Sequence, residues 1–273
     1  PDAMLIDGYL GDGIDGATVV HKVRSDPSLR GAACLYLTAS METVDEMRAL
    51  DAGADAYVRK EDGISVVMAR LKAALRSAEG RGSTAALPSL LGPKKVLAID
   101  PDEEFRGKLC DVLMKHGYAV IPASNGHDAL LLLEAESVDC IVLDALTLGM
   151  PAKDFCAVVK ANARLRTVPL VMISDRDDRE AMIESIEAGA DDYITKSTQF
   201  EVLGARLRAH LRRKHHEDRN RRIQDELHKR DMEAESQRRV AESTAQLLAD
   251  LERKNEDLAR ANERALRESH FKS

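Results

Sequence analysis

An Asp, a hydroxyl residue and a Lys recur twice along this chain, each at the end of a short apolar run. Asp7 closes Ala3-Met-Leu-Ile6, Thr38 closes Ala33-Cys-Leu-Tyr-Leu37, and Lys60 follows Ala52-Gly-Ala-Asp-Ala-Tyr57-Val-Arg59. Later Asp144 closes Cys140-Ile-Val-Leu143, Ser174 closes Pro169-Leu-Val-Met-Ile173, and Lys196 follows Ala188-Gly-Ala-Asp-Asp-Tyr193-Ile-Thr195. The hydroxyl and lysine positions repeat at an offset of 136 residues, and the Asp at one more. Self-similarity at a fixed distance means one structural unit used twice. A carboxylate, a hydroxyl and an ammonium converging at one place suit a transferable phosphoryl group. The carboxylate is the nucleophile, the ammonium neutralises phosphate charge and the hydroxyl donates to a phosphate oxygen.

Convergence requires elements that end together. The runs are short, rich in branched aliphatics and followed by helical stretches, the pattern of strands buried on both faces of a parallel sheet. Ligands of open α/β sheets bind beyond the carboxyl ends of the strands. The expected fold class is therefore α/β, with two doubly wound units and a helical tail.

On these residues, together with Val96-Leu-Ala-Ile-Asp100, the chain resembles the receiver domains of bacterial two-component response regulators, over roughly its first three quarters. The resemblance implies flavodoxin-like, CheY-like five-stranded parallel sheets and phosphorelay signalling. It implies phosphoacceptors at Asp7 and Asp144, with Thr38, Lys60, Ser174 and Lys196 completing the sites. Tyr57 and Tyr193 fall where receivers carry an aromatic that changes rotamer as the hydroxyl closes on phosphate. Mg²⁺ is the implied cofactor, since phosphoryl transfer to a carboxylate needs a cation among crowded oxygens. Asp7, Asp144, Asp100 and Asp102 are the candidate ligands. Pro101 stands where the family has its second acid, and Asp102, one residue on, could substitute or could simply begin a helix.

Other departures also single out the second copy. Asp175 follows Ser174 where the family has a small residue, and an anion there repels phosphate. Neither lysine is followed by Pro, so a trans peptide and a displaced lysine are expected at Lys60-Glu61 and Lys196-Ser197. The first copy matches at Asp7, Thr38, Ala39 and Lys60. It lacks the family's first strands, so residue 1 reads as a cut through a domain. The expected organisation is a truncated first receiver over 1–79, a Gly/Ser/Pro-rich linker over 80–93, a complete receiver over 94–214, and a helix over 215–273.

Residues 217–268 lack Gly and Pro and are dominated by charged residues, Gln, Ala and Leu, the composition of a long helix. A heptad frame places Leu227, Ala234, Ala241, Leu248, Asn255 and Asn262 at a, and Ile223, Leu251, Leu258 and Ala265 at d. Arg230, Gln237 and Thr244 weaken the d column. Asn at a specifies a parallel, in-register dimer, the expected partner being a second copy through residues 217–268. The end of the chain, Asn255 to Ser273, resembles the signalling helix that enters the dimerisation domain of histidine kinases. His270 lacks the surroundings of their phosphorylated histidine. Comparable helices also precede diguanylate cyclase domains.

Composition narrows the classes. A net charge of −7 over 273 residues gives no reason to expect nucleic acid as the main partner. The basic run Arg212-Arg-Lys-His-His216 lacks interleaved aromatics and reads as a solvated or ion-pairing helix start. No stretch has the length of a membrane span and no signal peptide opens the chain, so a cytoplasmic protein is expected. Cys34, Cys110, Cys140 and Cys156 show no metal-ligand spacing and read as reduced thiols. There is no ATP-binding motif, so this chain does not phosphorylate from ATP by itself, although the parent chain looks like a protein-histidine kinase. The phosphodonor is expected to be a histidine kinase or histidine phosphotransfer protein. The preferred reading is a receiver module controlling a histidine kinase through a dimeric coiled coil. Its alternatives are a non-enzymatic scaffold of pseudo-receivers and the receiver module of a diguanylate cyclase response regulator.

Overall fold

The computed structural model describes residues 1–273 except 12, 41, 80–93, 177–178, 199 and 271–273. The linker expected over 80–93 lies outside the described residues. Two parallel sheets form. In the first, β1 (Ala3–Asp7), β2 (Ala33–Thr38) and β3 (Ala56–Arg59) lie side by side in chain order. They alternate with α1 (Gly16–Ser25), α2 (Thr43–Ala52) and α3 (Ile64–Glu79). The second sheet has the order β5-β4-β6-β7-β8, from β4 (Lys95–Ile99), β5 (Ala119–Ala123), β6 (Cys140–Asp144), β7 (Leu170–Ser174) and β8 (Asp192–Thr195). Its helices are α4 (Glu103–Lys115), α5 (Gly126–Ala135), α6 (Ala152–Ala161), α7 (Arg179–Glu187) and α8 (Phe200–His270).

The central strands β6 and β7 are buried at every position. Alternate residues serve opposite faces: Leu97, Ile141, Leu143 and Leu170 pack with Phe155 and Val159 on one side. Val96, Val142, Val171 and Ile173 pack with Leu109, Leu203 and Leu207 on the other. Pro122 lies in β5, an edge strand, where its missing N–H removes no central ladder bond.

Much of the repeated Ala-Gly-Ala-Asp motif is structural. Gly53 and Gly189 end α2 and the turn after α7 at φ of 116° and 117°, the left-handed region glycine tolerates. A Cβ there would meet Arg24 Cγ at 2.7 Å or Lys160 Cγ at 2.9 Å. Asp55 then accepts from the Cys34 amide at 2.7 Å and pairs with Arg24. Asp191 accepts from the Leu170 amide at 2.8 Å and pairs with Lys160. Both aspartates pin the start of the neighbouring strand.

Residues 1–218 form one compact unit, because the two sheet modules pack helix to helix with an approximate two-fold relation. Ala69 and Ala73 of α3 pack on Ile186, and their counterparts 136 residues later, Ala205 and Ala209 of α8, pack on Leu50. Arg76 donates to the Ile186 carbonyl at 2.7 Å, and Arg212 donates to the Leu50 carbonyl at 2.6 Å. Such reciprocal contacts are those of an isologous interface. At its centre Arg206 donates to Glu46 at 2.6 Å and to both Asp192 oxygens at 3.0 Å, while Arg70 also pairs with Asp192.

Helix α8 runs without a break through Lys214 and His215. Of the basic run, Arg213 bonds to the Ala74 carbonyl and pairs with Asp55 at 3.8 Å, as an ion-pairing helix start would, and the buried Lys214 points at the Val138 and Asp139 carbonyls. Residues 219–273 form the second compact unit. Within it Leu227, Leu248, Leu251 and Leu258 are exposed. Among the described residues, no helix is long and apolar enough to cross a membrane.

Burial opposes the charge on Asp192, but Arg206 and Arg70 hold its carboxyl well below the ordinary value. A depressed carboxyl stabilises the fold fully above its unfolded pKa, about 3.9, and loses that contribution as pH falls through the folded value. Arg206→Ala leaves two buried carboxylates short of a partner and should cost about 3–5 kcal/mol in urea unfolding at neutral pH. The deficit should narrow once pH falls below the Asp192 pKa of the variant. A loss under about 1 kcal/mol, the worth of an exposed pair, would show that the network contributes little.

Candidate functional site

Parallel pairing brings the ends of β6, β7 and β8 together: Asp144 sits opposite Ile173, and Ser174 opposite Thr195. Lys196 is the next residue along and reaches back. Its Nζ donates to Asp144 Oδ2 at 3.0 Å and lies 2.9 Å from Asp100 Oδ2, at the end of β4. Asp100, Asp144 and Ser174 are all buried. The Lys196 ammonium also lies 4.7 Å from the centroid of Phe105, a cation–π contact the sequence did not disclose. Burial pushes the Asp100 carboxyl up. Burial disfavours the Lys196 cation, yet Asp100 and Asp144 hold its pKa above the ordinary lysine value.

The first module repeats this at the ends of β1, β2 and β3. Lys60 Nζ donates to Asp7 Oδ2 at 2.5 Å. Asp7, Thr38, Ala39 and Lys60 line one hollow of about 640 Å³. The Lys60 hydrogen bond, with the Tyr9 amide at 3.2 Å, lowers the Asp7 pKa. This site is more open, with the Asp7 side chain 37 % exposed against 2 % for Asp144. The peptides after Lys60 and Lys196 are trans, as the missing Lys-Pro step leads one to expect. All described peptides are trans, and the long side chain spans the distance to the acid.

The hydroxyls and tyrosines are placed alike. Thr38 Oγ1 accepts from the Ser40 amide at 3.0 Å, and Ser174 Oγ accepts from the Arg176 amide at 3.1 Å. Each hydroxyl hydrogen can still turn toward an incoming oxygen. Tyr57 is buried and donates to the Ser40 carbonyl at 3.1 Å, while Tyr193 is buried and donates to the Arg176 carbonyl at 2.6 Å. Each tyrosine thus holds the loop that begins with the hydroxyl residue. Burial raises the Tyr57 phenol to about 12.

Asp102 does not join the acids. It caps α4, accepting from the Glu104 and Phe105 amides at 2.9 and 3.1 Å, and those bonds lower its pKa despite the small cost of burial. Its amide instead donates to Asp100 Oδ1 at 2.8 Å. No cluster of three or more metal-ligating side chains occurs among the described residues. The donors that fit Mg²⁺ are Asp100 and Asp144, two convergent carboxylates with room in the octahedron for water. At the first site Asp15 and Asp45 line the hollow with Asp7, but Asp15 caps α1 and pairs with Arg48.

Charge separates the two sites. Asp100, Asp144 and Asp175 all come within 3.9 Å of the single Lys196 ammonium, whereas Lys60 meets Asp7 with Ala39 at the position corresponding to Asp175. The network residues Glu46, Arg70 and Arg206 belong to no motif singled out in the sequence. The 136-residue offset relates Arg70 to Arg206 and could have flagged both.

Residues 96–208 match the profile of the response regulator receiver domain. The response regulator PleD of Caulobacter vibrioides is 26% identical over 235 residues, covering 80% of this chain and 51% of that protein. The transcriptional regulatory protein CpxR of Escherichia coli is 36% identical over 121 residues, covering 44% of this chain and 50% of that one. The chain spans about half the length of the curated relatives it matches. A crystal structure of a putative response regulator from Chloroflexus aurantiacus is 30% identical, with a TM-score of 0.43, covering 44% of this chain and 98% of that one. The 96–208 segment is a receiver domain, the module of response regulators in two-component phosphorelay signalling.

Lys196→Met would leave Asp100 and Asp144 facing each other without a cation. The variant should be destabilised, and millimolar Mg²⁺ should raise its melting temperature more than that of the unaltered chain, because the metal replaces the missing charge. An equal response to Mg²⁺ in the two proteins would show that these acids do not form a cation site.

Proposed function

We propose that the chain carries two receiver modules of a phosphorelay, with Asp7 and Asp144 as phosphoacceptor positions, and that α8 conveys their state to an output partner. The observation that carries this reading is the duplicated constellation of carboxylate, hydroxyl and ammonium at the ends of adjacent parallel strands. The similarity to PleD extends over 80% of the chain, beyond the 96–208 segment, and supports reading the first sheet as a receiver too.

An Asp oxygen attacks the phosphorus of a phosphohistidine on a histidine kinase or histidine phosphotransfer protein. The O–P bond forms as the P–N bond breaks, and the departing imidazole takes up a proton. The lysine ammonium shifts from carboxylate to phosphoryl oxygen, and the Thr38 or Ser174 hydroxyl donates to a second oxygen. Tyr57 and Tyr193, tied to the hydroxyl loops, are the groups that carry this movement inward. Mg²⁺, held at the second site by Asp100 and Asp144, would neutralise the phosphoryl charge.

Asp175 beside Ser174, where the first module has Ala39, disfavours a further anion, so Asp7 is the preferred acceptor and the second module is partly degenerate. The same carboxylate favours a second reading for that module alone, a binding platform that does not turn over phosphate. The output is a histidine kinase in the preferred reading, and a cyclase in the alternative. The assembly is a parallel homodimer through 217–268, cytoplasmic and without nucleic acid.

Incubation of the chain, extended upstream of residue 1 to complete the first module, with acetyl phosphate and Mg²⁺, followed by intact-mass measurement, should show one added phosphoryl group. Asp7→Asn should abolish it while leaving the fold intact, since the amide is nearly isosteric but a poor nucleophile. Lys60→Ala should lose the response as well, and Asp144→Asn should change it little. Equal labelling at Asp144, or unaltered labelling in both first-site variants, would overturn the assignment.

A further inference from the structure

The lysine of the first site stands on a turn that the second module holds. Lys60–Asp62 form one turn of 3₁₀ helix directly after β3. Within its own module the turn is tied by Asp62, whose Oδ2 accepts from the Arg59 amide at 3.1 Å. From the other module Arg179, the first residue of α7, donates through Nη2 to the Glu61 carbonyl at 2.9 Å. The same guanidinium covers the end of the turn: a Cβ added at Gly63 would lie 3.4 Å from Arg179 Nη1. One helical turn further along α7, Met182 and Ile183 pack with Val58, Val66 and Val67, which flank the turn in the chain. The base from which Arg179 reaches is thus itself fixed to the first module.

This contact departs from the two-fold relation of the modules. The 136-residue offset takes Glu61 to Ser197 and Arg179 to Thr43, and a threonine lacks the reach of a guanidinium. The second turn is tied by its own hydroxyls, with Thr195 Oγ1 2.9 Å from Thr198 Oγ1 and Ser197 Oγ donating to Thr195 Oγ1 at 3.2 Å. Nor does Arg179 serve the helix it begins, because the macrodipole disfavours a cation at a helix N-terminus. What it serves is a turn whose second residue is Glu61. A proline there would fix φ near −65°, whereas glutamate leaves that rotation to be restrained by a contact.

We propose that Arg179 is a positioning residue for the first site: a side chain of the second module holds the turn that aims Lys60 at Asp7. This rests on the reading of Asp7 as phosphoacceptor. Lysine carries a point charge on a flexible four-carbon stem. The direction in which that stem leaves the turn therefore decides how often the ammonium meets the Asp7 oxygens and a phosphoryl group on them. The dependence runs one way. The first site draws on the second module, while the second lysine stands on a turn tied within its own module. A module that is a poor acceptor thus takes part in its neighbour's chemistry.

The test uses the chain extended upstream of residue 1 to complete the first module, with Arg179→Ala and, as a control, Arg76→Ala. Arg76 donates to the Ile186 and Ala190 carbonyls at 2.7 and 3.0 Å, so its loss loosens the same packing of α3 on α7 away from the turn. Two quantities are read. One is the rate of Asp7 labelling against acetyl phosphate concentration with Mg²⁺. The other is acetylation of Lys60 by a brief pulse of acetic anhydride without phosphodonor, referenced by peptide mass mapping to the exposed Lys72. Arg179→Ala should lower the saturating labelling rate with little change in KM, and raise Lys60 acetylation, each by about fivefold, the effect of losing one hydrogen bond. Arg76→Ala should leave both near the values of the unaltered chain. Either quantity unmoved in Arg179→Ala, or an equal change in Arg76→Ala, would overturn the proposal. No label at Asp7 in the unaltered chain would overturn the acceptor reading instead, and with it the role in the reaction, while the acetylation arm still tells whether Arg179 holds the turn.

Discussion

The structure turns on an ammonium at the end of one strand held against a carboxylate at the end of another. Lys196 spans from β8, the edge of its sheet, back to Asp144 on β6 and Asp100 on β4, and the intervening β7 supplies Ser174. Parallel pairing puts these groups at one end of the sheet without contribution from distant loops. Burial makes the arrangement consequential, because each charge is costly alone and tolerable only with its partner. A phosphoryl group on Asp144 would take over the lysine, and the hydroxyl loop and the tyrosine tied to it would have to follow.

The first module keeps the same constraint. Asp7 and Lys60 pair at 2.5 Å near solvent, with no counterpart of Asp175 beside the hydroxyl. Two copies of one design have thus diverged in electrostatics while their faces stayed matched. The interface shows this directly. Its apolar contacts and its two arginine-to-carbonyl bonds obey the repeat, but Glu46 corresponds to Met182 and Asp192 to Ala56. Each module supplies one arginine, Arg70 or Arg206, at equivalent positions, and one acid, Glu46 or Asp192, at different ones.

Much of this could be read from the residues. The apolar runs located the strands, and their terminal Asp, hydroxyl and Lys located both sites, because strand order converts sequence spacing into proximity. The most visible repeat, Ala-Gly-Ala-Asp, was noticed for the chemistry near it, yet its glycine serves a left-handed turn and its Asp pins a strand start. Asp102 was ambiguous for a physical reason: an acid just before a helix serves equally as a cap or a ligand, and only two backbone amides decide it. Neither lysine is followed by Pro, and on a trans peptide the flexible stems of Lys60 and Lys196 still reach the acids. The basic run at 212–216 left open a solvated or an ion-pairing surface, because composition cannot show which module packs against a helix; Arg213 pairs with Asp55.

The central claim is that Asp7 carries the phosphoryl group. Borohydride reduction of the phosphorylated chain converts an aspartyl phosphate to homoserine, which peptide mass mapping locates. Homoserine at position 7, with little at 144, is the expected result. Homoserine confined to 144, or absent from both positions after phosphodonor treatment with Mg²⁺, would contradict the account.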